Sequence, residues 1–176
     1  TPGIKVVIPS TPEDAKGLII AAVNDPDPVV YFEPKRLYRT VKGEVPDAYY
    51  ETPIGKARIA REGREITIIS WGAMVHTCLK AAEELEKEGV SAEVLDLRTL
   101  TPLDWDAISA SVEKTGRALI AHEAPNTGSW AAEISAQIHE RLHHKLKGPV
   151  QRVGAWDIRQ PLFQLEKYYI PDAHRV

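Results

Sequence analysis

The chain has 176 residues, of which 43% are hydrophobic, enough to build a buried core and too many for a disordered chain. A formal net charge of −3 gives no electrostatic basis for binding nucleic acid, and no apolar run approaches the length of a membrane span. The single Cys78 excludes an internal disulfide framework and is in keeping with a reducing compartment.

Ile4 to Ser10 form a short apolar run that ends in polar residues and reads as a buried strand. Ser10, three residues before Glu13, with Pro12 in the first turn, predicts a capping-box start to a helix. Ala15, Leu18, Ile19 and Ala22 then repeat at helical spacing and form its apolar face. Pro28 to Glu33 read as the next strand, so residues 1–39 form a βαβ unit whose strands are parallel by default. One such unit buries too little surface alone, and the opening at Thr1 without a Met reads as that of a fragment, a processed product or an engineered chain. The first lobe is therefore expected to lack an N-terminal part.

Gly43, Pro46 and Pro53 interrupt the pattern and suggest a linker over residues 40–54. Beyond it, "GKARIA" and "EITIIS" flank "REGR" and predict a hairpin. A long helix follows, with Val75, Cys78, Leu79, Ala82 and Leu85 on its buried face and Gly89 just past its end. "VSAEVLDL" is a strand, Thr101 to Gly116 a helix with a start and a stop signal, and "RALIAHE" a strand. "APNTGS" is a turn, residues 130–146 a helix with Ile134, Ile138 and Leu142 on one face, and "VQRV" a last strand. This alternation predicts an α/β domain with a mostly parallel sheet.

Ligands in such sheets sit beyond the carboxyl ends of strands, where this chain places Asp96 with Arg98 and His122 with Glu123. If the two strands are neighbours, the four residues gather, and Glu123 or Asp96 sets the pKa of His122. The plainer reading is a hydrogen-bonded network that fixes loops or a subunit contact, because no nucleophile or second carboxylate stands at a telling distance. "APNTGSWAAEI" offers helix N–H groups to an anion, but a lone Gly before a helix more often marks a turn. "HERLH", from His139 to His143, fits H-E-x-x-H literally, with only His174 downstream as a third zinc ligand; a solvated helix face explains it better. Trp71, Trp105, Trp130 and Trp156 lie at element ends and read as packing anchors.

Six segments, "PGIKVVIPSTPEDAKGLIIAAV", "PVVYFEPKRLYR", "GAMVH", "VLDLRTLTPLD", "KTGRALIAHEAPNTG" and "YYIPD", together resemble the β subunit of 2-oxo acid dehydrogenase E1 components, over nearly all of the chain. "FEPKRLYR" is more similar to the branched-chain members than to the pyruvate ones. The resemblance implies a three-layer transketolase C-terminal-like domain over residues 55–176. Residues 1–39 then correspond to the C-terminal part of a pyrimidine-binding domain, and residues 40–54 to the linker. It also implies oxidative decarboxylation of a 2-oxo acid with thiamine diphosphate and acyl transfer to a lipoyl-bearing E2. The assembly is a heterotetramer with an E1 α subunit and a second β subunit, in the bacterial cytoplasm or the mitochondrial matrix.

The family's potassium site maps by position onto Ala22, Val23, Asp25 and Asp27, where carbonyls at a helix end meet two carboxylates. Pro26 and Asp27 stand where Asn residues are common in the family. Its catalytic Glu and His-rich loop fall upstream of Thr1, and magnesium with the diphosphate belongs mainly to the α subunit. The resemblance therefore assigns no catalytic or cofactor-binding residue within this chain, which alone is expected to support assembly. "GAWDIRQPLFQLEKYYIPD" departs from the family's Gly-aromatic-Asp-Thr-Pro-aromatic-Pro, the usual last helix is missing, and basic "HHKLK" is a poor match for a basic E2 subunit-binding domain. The rival readings are a stand-alone α/β interaction or dimerisation module, and a hydrolase using His122 or the "HERLH" helix.

Overall fold

The computed structural model describes residues 2–176; Thr1, on which the reading of a processed start rests, lies outside them. Two sheets share the chain. The smaller has the order β2-β1-β6, built from β1 (Lys5–Val7), β2 (Val29–Tyr31) and β6 (Thr99–Thr101). β1 and β2 are parallel, as the βαβ reading predicts, while β6 joins β1 antiparallel. No pattern in the sequence marks β6, a strand of only three residues that the second lobe contributes to the sheet of the first.

The larger sheet runs β3-β5-β4-β7-β8, made of β3 (Arg58–Arg61), β4 (Ile66–Ser70), β5 (Ala92–Asp96), β7 (Ala118–Pro125) and β8 (Gln151–Ala155). All its neighbours are parallel except β3 with β5. The expected β3–β4 hairpin does not form. β4 and β5 are almost wholly buried on both faces, so they lie side by side in the centre, and β3, with Ile59 45% exposed, takes the edge.

Side chains alternate across the strands and divide the core into two layers. Ile68, Val94 and Leu119 point to one face, where α2 (Met74–Lys87) covers them with Met74, Val75, Cys78 and Ala82. Ile69, Leu95 and Ile120 point to the other, against Ile108 and Val112 of α3 (Trp105–Thr115) and Ile134 and Ile138 of α4 (Trp130–Leu142). This is the three-layer arrangement. Leu79 and Leu85, expected in the buried face of α2, are half-buried, and Ala81 is buried instead.

Helix ends follow local chemistry. Asp104 caps α3 by accepting from the Ala107 N–H at 3.2 Å, and Gly116 closes it at φ 72°, its N–H donating to the Val112 carbonyl. α1 (Pro12–Asn24) is capped by Thr11 rather than Ser10: Thr11 Oγ1 accepts from the Asp14 N–H at 3.1 Å. The Ser10 hydroxyl is spent on Asp96 instead. The buried face of α1 is also rotated from expectation, to Asp14, Gly17, Leu18 and Ala21, leaving Ile19 42% exposed. Thr52 and Tyr50 press on Gly17, where a Cβ would lie 2.9 Å from the Thr52 backbone nitrogen. α4 stops at Leu142 rather than residue 146, because the Lys147 N–H is drawn 2.7 Å onto the Gly116 carbonyl.

Residues 40–54 form no helix or strand, yet they are strapped to α1. Tyr50 donates to the Glu13 carbonyl at 2.9 Å, and Lys16 reaches the Ala48 carbonyl at 3.0 Å. The tail carries a short α5 (Glu166–Tyr169) and is held by Arg175, which donates to the Gly154 carbonyl at 2.8 Å. Trp71 and Trp105 pack against the core as anchors, whereas Trp130 and Trp156 are exposed. Trp71 stacks on His122, while Arg141 lies over Trp105 and Arg175 over Trp156, at 4.4 and 4.6 Å from the ring centroids.

Candidate functional site

At the C-terminal end of α1, the carbonyls of Ala22, Val23 and Asn24 look for N–H groups at positions 26, 27 and 28. Pro26 and Pro28 have none, and the Asp27 N–H donates to Asp25 Oδ1 at 2.9 Å. No other hydrogen bond reaches these carbonyls among the described residues. The carboxylates of Asp25 and Asp27 are already matched with a cation of the protein's own. Lys5 Nζ lies 2.7 Å from Asp25 Oδ1 and 3.1 Å from Asp27 Oδ2. The Lys5 bond lowers the pKa of Asp25, and Asp25 in turn raises that of Lys5. A hollow of ≈ 310 Å³ beside this corner is lined by Ala21, Asn24, Asp25 and Glu51. The donors left for an added cation are therefore mainly carbonyl oxygens, which suit a large, weakly charged ion. No cluster of three His, Cys, Asp or Glu side chains that could hold a metal exists among the described residues. Lys5 was visible in the sequence as a charge inside an apolar strand, but its partners lie 20 and 22 positions away.

Asp96 and Arg98 do not meet His122. β4 lies between their strands, so the expected gathering at one edge fails on strand order. Asp96, fully buried at the end of β5, accepts from Arg58 Nη2 at 3.1 Å and from the Ser10 hydroxyl. Burial pushes its carboxyl above the ordinary range, opposed by Ser10 and Arg58. Arg98 reaches Asp14 of α1 at 2.8 Å and donates to the carbonyls of Lys56 and Ala57 at 3.0 and 3.2 Å. Arg58 closes the ring, its Nε 3.4 Å from Asp14 Oδ2. Two carboxylates and two guanidinium groups thus tie α1 to the larger sheet. Asp96 and Arg98 are thus members of a hydrogen-bonded network, which His122 and Glu123 do not join.

His122 is 1% exposed, with Nε2 3.2 Å from Asn126 Oδ1 and its ring stacked 5.7 Å from Trp71. Its Nδ1 has no partner among the described residues. Neither Glu123 nor Asp96 tunes it, contrary to expectation. Burial depresses its pKa, Asn126 raises it, and Arg152 lowers it further. Glu123 faces Arg36 at 4.0 Å instead.

The remaining motifs resolve as structure. At the "APNTGS" loop, Asp157 ties the turn by accepting from the Thr127 hydroxyl at 2.6 Å and from its N–H at 3.3 Å. His139 pins α4 to β8: its Nδ1 faces the Ser135 carbonyl at 2.8 Å, and its Nε2 accepts from the Val150 N–H at 3.5 Å. Both ring nitrogens are occupied, and His174 lies by Glu84 of α2 at 3.6 Å, so "HERLH" assembles no zinc site.

The transketolase C-terminal domain model matches residues 55–176, and the transketolase pyrimidine-binding domain model matches residues 1–41. The chain belongs to the transketolase C-terminal domain family. Relatives include the mitochondrial 2-oxoisovalerate dehydrogenase subunit β of Dictyostelium discoideum, 54% identical over 98% of this chain and 46% of that protein. The pyruvate dehydrogenase E1 component subunit β of Bacillus subtilis is also 54% identical, over 97% of this chain and 53% of its own length. This member of the family thus spans about half the length of the curated relatives it matches. A solved structure described as a split-gene transketolase, an inactive β4 tetramer, superposes with a TM-score of 0.79 at 26% identity, covering 99% of this chain and 55% of that one.

Within the family fold, each buried carboxylate already has a partner. Asp14 and Asp96 hold arginines, Glu93 holds Lys114, and Asp104 accepts from the Ala57 and Ala107 N–H groups. All four are thus engaged inside the fold. Cys78 is inert as well, its thiol pushed up to about 12 chiefly by burial.

His122 gives a pH signature. The folded state holds its pKa below the ordinary 6.5, so the unfolded chain takes up the proton first as pH falls. Its contribution is complete above about pH 6.5 and is lost as pH drops from there toward the depressed folded value. The difference in stability between wild type and His122→Phe, followed by urea titration, should shrink or change sign as pH is lowered through this window. A difference independent of pH would show that His122 does not titrate with folding.

Proposed function

We propose that this chain is the C-terminal portion of the β subunit of a thiamine-diphosphate-dependent 2-oxo acid dehydrogenase E1. Residues 1–39 belong to the pyrimidine-binding domain, residues 40–54 to the linker and residues 55–176 to the transketolase C-terminal-like domain. The observation that carries this reading is the near-complete coverage of this chain, at about half identity, by β subunits of two dehydrogenases. Their equal similarity supports the class, a branched-chain 2-oxo acid or pyruvate, and favours neither substrate. The partners of the whole protein are an E1 α subunit, a second β subunit and a lipoyl-bearing E2, in the bacterial cytoplasm or the mitochondrial matrix.

Thiamine diphosphate, when bound in the full assembly, supplies the electron sink for decarboxylation, with magnesium held mainly by the α subunit. The residues of this chain do not themselves fit that cofactor, and their part is structural: they brace α1 and the loops that follow β1 and β2. Potassium is a different case, because the open carbonyls at the end of α1 suit it. Ala22 and Val23 would offer carbonyl oxygens, with Asp25 and Asp27 completing the corner beside Lys5. Potassium should then raise the melting temperature more than sodium at equal ionic strength, as read by scanning calorimetry. Equal shifts would mark the segment as a plain turn.

The decisive experiment is a calorimetric titration of thiamine diphosphate, with magnesium and potassium, into this chain alone and into its complex with an E1 α subunit and the remaining part of a β subunit. The expected result is no heat of binding for the chain alone and saturable binding for the complex. Micromolar binding by the chain alone overturns the reading. A stand-alone interaction module is the second reading, favoured by the likeness to a tetramer built from one kind of chain. Stable self-association in sedimentation, with no uptake of an α subunit, supports it.

A further inference from the structure

A second cavity, of ≈ 430 Å³, opens at the carboxyl ends of β1 and β2, the end of an α/β sheet where ligands are generally held. Pro9, Pro12 and Ala15 form one wall as the chain passes into α1, and Leu37 and Val41 form the other. Its polar groups are mostly spent. Tyr31, whose ring lines the sheet side, donates to the Ala15 carbonyl at 2.9 Å, and the hydroxyls of Ser10 and Thr11 are held by Asp96 and Asp14. What remains is an apolar slot. Its one acidic lining residue is Glu33, exposed at the mouth. Arg36, three residues on, turns to Glu123, and no lysine or arginine forms an ion pair with Glu33 among the described residues. Tyr38, 61% exposed, lines the cavity with it.

We propose that this cavity binds a small organic cation, with a ring-sized apolar body between the proline and leucine walls and a protonated amine at Glu33. The walls select for an apolar body through burial, and the single uncompensated carboxylate selects for sign. A ligand of the same shape carrying a carboxylate would place like charges together at the mouth. The Tyr38 ring adds an electron-rich face at the point where the ammonium enters. The site is separate from the helix-end corner near Asp25 and does not rest on the dehydrogenase reading.

The test is a titration of the full chain with phenethylammonium, followed by amide chemical shifts, with 3-phenylpropanoate and 2-phenylethanol as matched anionic and neutral probes. Saturable shifts centred on Ala15, Leu37 and Val41 are expected, with both matched probes binding roughly tenfold or more weakly. Glu33→Gln, at an exposed position that should leave the fold intact, lowers affinity for the amine by roughly tenfold. Ala15→Leu, which fills the slot, abolishes the shifts. Absence of saturable shifts overturns the proposal, as does equal binding of the three probes or indifference to Glu33→Gln.

Discussion

Replacing Arg98 with alanine should destabilise the protein by ~3 kcal/mol, the scale for removing one partner of a buried ion pair. Arg98 and Asp14 are 13% and 6% exposed, and their contact is 2.8 Å. The substitution leaves Asp14 with Arg58, at 3.4 Å, as its remaining cation, and strips the Lys56 and Ala57 carbonyls of their Arg98 donors. The same side chain joins α1 to the strand ends of the larger sheet, so loss of cooperativity is expected along with the loss of stability. Urea unfolding, followed by far-ultraviolet circular dichroism and by tryptophan fluorescence, reads both quantities. All four tryptophans lie beyond residue 70, so fluorescence reports the second lobe. A loss under ~1 kcal/mol would class the network with ordinary surface ion pairs. Lysine in place of Arg98 should recover only part of the stability, since an ammonium cannot serve a carboxylate and two separated carbonyls from a planar fork.

Gly63→Ala is the second large effect, and its cause is steric. A Cβ there would lie 2.1 Å from the Glu93 backbone nitrogen and 2.2 Å from the Ala92 carbonyl carbon. Both atoms belong to β5, which is buried along its whole length between β3 and β4, so neither can yield by rotating a side chain. The connection between β3 and β4 must move instead, and it would carry the Arg64 and Glu65 N–H groups away from the Ser91 carbonyl. The expected loss is ~3 kcal/mol, at the upper end for overpacking, because the obstacle is backbone. Gly89→Ala makes the comparison, since nothing lies within 4 Å of a Cβ there and only its positive φ of 84° is strained. It should cost ~1 kcal/mol by the same unfolding assay. If the two variants lose equal stability, close approach at Gly63 is not what limits that position.

The contrast between these glycines shows what a local reading can reach. Gly89 and Gly116 stand just beyond helical patterns and are legible as helix ends. Gly63 also reads correctly as part of a connection between two strands, but the strand that crowds it lies about thirty positions downstream. The expected β3–β4 hairpin fails for the same reason: turn chemistry permits it, while the burial of β4 and β5 on both faces favours β4 beside β5. His122 was marked as a residue of interest at a strand end, yet its neighbours depend on strand order. Asp96, marked with it, turns instead to Arg58 and Ser10. The helix-end corner was marked through the family's potassium site, whereas Lys5 as the counter-charge of Asp25 and Asp27 appears only when β1 pairs with β2.

By itself the sequence determined the alternation of strands and helices, most helix stops and the family resemblance, because each rests on patterns that span a few residues or on segments kept in order. Only the tertiary structure decided that β6 crosses to the smaller sheet, that Thr11 rather than Ser10 caps α1, and that His122 and His139 are taken up by partners inside the fold. These outcomes turn on which distant groups compete for the same partner. Ser10 caps nothing because a buried carboxylate 86 positions away holds its hydroxyl, an interaction that local spacing does not encode.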